Sequence, residues 1–135
     1  MTIYYSFRKY LKKNNIHEEQ GSIEGASLLF KHNNLYYVYL YDNDDPNYFR
    51  LLVPKIVDYN NNEAKLNKYA LEVSAEYKVA KLVVIENQIW ASFEQIILDP
   101  DKDNTVIFDM GIRILNACCK RISNYVSTNN SSAEI

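Results

Sequence analysis

Glycine is scarce in this chain, at three residues in 135. A phosphate-cradling loop needs several glycines in a short span, so this count excludes one. Cysteine is as thinly used: Cys118 and Cys119 are the only two, and they are adjacent. Neighbouring cysteines bridge only with strain, so two free thiols in a reducing cytoplasm are expected. No further cysteine or nearby histidine completes a metal or redox motif. Outside the tyrosine-rich stretch Leu35–Tyr41, uninterrupted apolar runs stop at about four residues, where a membrane helix needs roughly 20. No basic block offsets the net charge of −2, so nothing steers the chain to nucleic acid or anionic lipid. Arg8 and Lys9 follow the first apolar residues instead of preceding them, a pattern that predicts no signal peptide.

Catalytic groups are equally sparse. His17 and His32 are the only imidazoles, and neither has an apparent nucleophile beside it in sequence. Asp99, Asp101 and Asp103 have the opening spacing of a calcium loop, but Asn104 stands where that loop needs Gly and Met110 where it needs Glu. A polar loop leading into a helix cap accounts for them better. Asp42, Asp44 and Asp45 before Pro46 read as turn chemistry. No metal and no cofactor are expected.

The chain is 47% hydrophobic and contains twelve tyrosines. That much apolar content excludes global disorder. Abundant tyrosine suits half-buried surfaces, where a ring packs while its hydroxyl stays wet. The length fits one domain, expected over residues 1–126, with the Ser/Asn-rich stretch 127–135 expected to be disordered.

Thr2 is placed to cap a first helix running to about Asn14, with Ile3, Phe7, Tyr10 and Leu11 on its inner stripe. Residues 17–25 read as a polar connector. Ser27–His32 and Leu35–Tyr41 form a hairpin around Asn33-Asn34, which tolerates the positive φ of a tight turn. Both faces are apolar: Leu28, Phe30, Leu35, Tyr37 and Tyr39 on one, Leu29, Tyr36, Val38 and Leu40 on the other. Periodicity therefore leaves open which face is inward. A third strand runs from Tyr48 to about Val57, with Pro54 predicting a bulge or an edge. Asn60–Asn62 are placed to cap a second helix to about Tyr77, buried through Leu66, Tyr69, Ala70, Val73 and Tyr77. Val79–Ile85 and Ile89–Phe93 form a second hairpin. An Asn87-Gln88 turn would set Ile85 opposite Trp90, Val83 opposite Ser92 and Lys81 opposite Glu94. The last helix, to about Val126, shows Ile107, Met110, Gly111, Ile114, Cys118, Ile122 and Tyr125 as its stripe. Gly111 within that stripe points to close approach of helix and sheet. The order α-β-β-β-α-β-β-α, with short turns between strands, predicts an α+β domain: a five-stranded antiparallel sheet packed by helices.

That order, with Lys81-Leu-Val-Val-Ile85, the Trp90-Ala-Ser-Phe-Glu94 strand and a final amphipathic helix, resembles the YbjN-like and type III secretion chaperone-like superfamily over residues 1–126. The resemblance implies an α+β sandwich that commonly dimerises. In its chaperone branch it implies an apolar surface that holds an unfolded stretch of another protein.

Tyr37, Tyr39, Val83, Ile85 and Trp90 are the candidate partner-binding residues, because the strands are apolar on both faces while helices shelter one. The function expected is non-enzymatic: a cytoplasmic, chaperone-like or regulatory module binding another protein or peptide segment, as a homodimer. The alternative is a small-molecule-binding domain or enzyme with a pocket between sheet and helices.

Overall fold

A computed structural model describes residues 2–20, 27–42, 44–58 and 63–133. The elements are α1 (Ile3–Lys13), β1 (Glu18–Gln20), β2 (Ser27–His32), β3 (Leu35–Leu40), β4 (Tyr48–Asp58), α2 (Glu63–Ser74), β5 (Ala80–Ile85), β6 (Gln88–Ile96) and α3 (Thr105–Ala133). All strand pairs are antiparallel, in the order β1-β2-β3-β4-β6-β5. Among the described residues the sheet therefore has six strands, one more than predicted. The extra one is β1, which pairs Glu18 with Phe30 inside the stretch expected to be a connector. A three-residue strand of Glu and Gln has no apolar alternation to reveal it; only its neighbour makes it a strand.

Local chemistry explains most boundaries. Thr2 Oγ1 accepts from the Tyr5 N–H at 3.1 Å, satisfying an otherwise orphaned donor at the start of α1. The proposed cap at Asn60–Asn62 lies outside the described residues. Asp103 caps α3 by accepting from the Thr105 N–H at 3.0 Å. Asn33 and Asn34, at φ 52° and 64°, make the first hairpin turn. The second turn is Glu86-Asn87, at φ 50° and 61°, not Asn87-Gln88. Ile85 consequently faces Gln88, Val83 faces Trp90 and Lys81 faces Ser92. This register lies two residues from the expected one, so every side chain keeps its face while the Lys81–Glu94 match is lost. Glu94 instead faces Arg50 on the neighbouring strand β4. The bulge predicted at Pro54 is present: the register shifts between Val53 and Val57, with Lys55 at φ 54°.

The core lies between one sheet face and the helices. Phe7 of α1 reaches the rings of Phe30, Tyr39, Phe49 and Phe108, with centroids 4.9–5.7 Å apart. The buried side of α3 is Phe108, Ile112, Leu115, Cys118, Cys119, Ile122 and Val126. The predicted stripe is thus rotated: Met110 is exposed and Ile107 and Ile114 are only half-buried. Both choices have helical spacing, so periodicity alone does not select between them. Gly111 does face the sheet, where an added Cβ would sit 2.9 Å from Phe93 Cδ1. The helix continues to Ala133, through the stretch expected to be a disordered tail. Among the described residues no helix is long and apolar enough to cross a membrane.

Candidate functional site: the uncovered sheet face

Alternation along each strand sends half of its side chains away from the helices. Cross-strand pairing collects them into rows. One row runs Leu29, Val38, Leu52, Ser92 and Lys81 across five strands. A second runs Ser27, Leu40, Arg50 and Glu94. Trp90 pairs with Val83, Ile85 lies on the same side, and Tyr48 pairs with Ile96 at the far end. The exposure of this face is that of a surface without a lid. Ile96 is 63% exposed, Tyr36 52%, and Val83 and Ile85 43% each. Leu29, Val38, Leu40, Leu52 and Trp90 are half-buried, shielded by one another.

The five predicted partner-binding residues divide between the two faces. Val83, Ile85 and Trp90 lie together on the uncovered face. Tyr37 and Tyr39 are fully buried beneath the helices, so they belong to the core and not to any surface a partner could touch. The Tyr37 ring stacks on Phe30 at 5.1 Å, which shows what holds it inward. The candidate set also lacked Tyr48, Arg50, Leu52 and Ile96. Their signal was available: they alternate with Phe49, Leu51, Val53 and Ile97, so one apolar set was bound to oppose the other.

Next to the Tyr48–Ile96 end of this face is a polar cluster. Arg50 Nε lies 3.0 Å from Glu94 Oε1 in an ion pair. Tyr48 donates to Glu94, and burial foremost, then that bond, push its phenol up to about 12. Trp90 Nε1 is closed to solvent and has no acceptor. The face thus combines apolar side chains with an unmatched donor, the Trp90 indole N–H, which costs about 1–3 kcal/mol while unmet.

The sheet edge beside it is already blunted. The Leu82 N–H, on the free side of β5, donates to Ser74 Oγ at 2.9 Å. A further strand added there would have to displace that bond, so the flat face is more available than the edge.

Elsewhere the chemistry is structural. Burial pushes the Cys118 thiol up to about 11 and Cys119 to about 12, disfavouring the thiolate a nucleophile needs. Asp99 Oδ1 accepts from the Asp101 N–H and Asp42 Oδ1 from the Asp44 N–H, both turn-forming bonds. Among the described residues no group of three or more His, Cys, Asp or Glu is placed to hold a metal ion. On the basic side of α1, Arg8 is paired with Glu18 at 2.6 Å. Comparison with known proteins matches no family model and finds no similar curated protein.

Proposed function

We propose that the chain is a non-enzymatic protein-binding module, chaperone-like or regulatory, that works through the uncovered sheet face. The observation that carries this reading is the row of apolar side chains around Trp90, Val83 and Ile85, over which no described element of the chain lies. A second copy is the occupant this face suits best. The face holds a cation and an anion, Arg50 and Glu94, side by side. Related by a twofold axis, such a pair meets its own complement, and each Arg50 gains a second carboxylate. An extended segment of another protein would use the same apolar strip. We place the module in the cytoplasm, where its two thiols stay reduced.

The test uses the paired variant Val83→Lys/Ile85→Lys, which charges the face without touching the core. Sedimentation of the native chain should show a concentration-dependent dimer, and the variant should shift it to monomer by at least about tenfold in Kd. Trp90 is the sole tryptophan, so its fluorescence reports the same face directly. A native chain monomeric at about 100 µM, with Trp90 emission independent of concentration, removes the dimer. A dimer indifferent to the variant removes this face as the interface.

A further inference from the structure

We infer that the groove between the bulge of β4 and the second half of α3 binds a small organic acid carrying an N–H or O–H donor. The ladder between β3 and β4 ends at the Val38–Leu52 pair although both strands continue, and β4 then turns away through its bulge. This parting opens a groove of about 640 Å³, within the roughly 300–1,000 Å³ of small-ligand sites. Leu35, Pro54 and Ile56 give it an apolar wall, and Lys55, Asn116 and Lys120 contribute its polar groups.

Three properties select the ligand. No Asp, Glu or His lines the groove, so its two lysines make it net positive. Among the described residues neither lysine is in an ion pair, which leaves both ammonium groups for an anion. Asn116 Oδ1 is closed to solvent and has no donor. Asn116 as a whole is half-buried, so rotation of its amide would present that oxygen to a ligand N–H or O–H at the floor. Bulges of this kind recur beside binding sites because they re-aim a side chain, and Lys55 occupies the left-handed position of this one. The inference does not rest on the protein-binding reading: Tyr36 borders both surfaces, but the residues named for the ligand lie outside the Trp90 strip.

Hippurate is a suitable probe, with a carboxylate, one amide N–H and a phenyl ring. Its methyl ester lacks the charge, and 4-phenylbutyrate lacks the N–H. In ¹H–¹⁵N spectra of the full chain, hippurate should move the Asn34, Lys55, Ile56 and Lys120 amides. Both comparison compounds should bind about tenfold more weakly or worse. Lys120→Glu, at an exposed position, should weaken hippurate by about tenfold. Asn116→Leu should erase the preference for hippurate over 4-phenylbutyrate. No shifts at about 20 mM, shifts confined to residues around Trp90, or equal binding of acid and ester would each overturn the assignment.

Discussion

Phe49 and Arg50 are adjacent in sequence and opposite in environment. Phe49 is fully buried and meets the rings of Phe7, Tyr39, Phe93 and Phe108. Arg50 points the other way, into a half-exposed face whose N–H donors are not all met. The inner face is buried and largely aromatic, although the Tyr37 and Tyr39 hydroxyls there have no hydrogen-bond partner either. The outer face is apolar but incomplete. Alternating residues of the same strands thus divide the work: one set holds the fold together, while the other leaves surface to be covered.

The largest effect should come from the inner face. Phe49→Ala should cost about 3–5 kcal/mol in urea denaturation, since it empties the middle of a ring cluster. A loss below about 1 kcal/mol would mean that the aromatic layer repacks freely and the contrast between faces is overdrawn. Alkali should attack the same side. Folding raises the Cys118 thiol to about 11 and Cys119 to about 12, from 9, and the Tyr10 phenol to about 12, from 10. Burial is the leading cause for all three. The folded state therefore holds these protons more tightly than the unfolded chain. The stabilisation is intact below about pH 9 and drains away as pH climbs towards 12. The urea midpoint should accordingly be flat from pH 7 to about 9 and fall beyond it; a midpoint unchanged at about pH 11 would refute this account.

A smaller effect is expected at the seam between helix and sheet. Gly111→Ala gains up to about 1 kcal/mol in helix propensity, yet its Cβ would press on Phe93. The net result should be a loss of about 1–2 kcal/mol; a gain would show that α3 stands off from β6. The smallest belongs to the outer face. Glu94→Gln should change monomer stability by less than about 1 kcal/mol, because the Arg50 pair is partly exposed. A larger loss would make the polar cluster a structural feature and not an interfacial one.

Much of this architecture is legible from particular residues. Thr2 acts through its side-chain hydroxyl and Asn33-Asn34 and Pro54 through their backbone preferences, each doing locally what its chemistry dictates. The second hairpin shows the limit. Glu86-Asn87 and Asn87-Gln88 are both two-residue turns, and the Lys81–Glu94 charge match favoured the wrong one. Glu94 had a stronger claim on it from Arg50, a residue more than 40 positions away. Of the candidate site, Trp90, Val83 and Ile85 were readable from the alternation of one hairpin. Tyr37 and Tyr39 were not, because the strands around them are apolar on both sides.

By itself, the sequence determined the type and order of most elements, the Asn33-Asn34 turn and, along each strand, which side chains share a face. These are properties of backbone preference and of repeats of two or 3.6 residues, which act over a few positions. The tertiary structure alone decided which of two greasy faces went inward, which stripe of α3 met the sheet, and that Glu18–Gln20 became a strand. Each of those choices compares the packing of whole surfaces contributed by distant segments, and a local period has the same value for either answer.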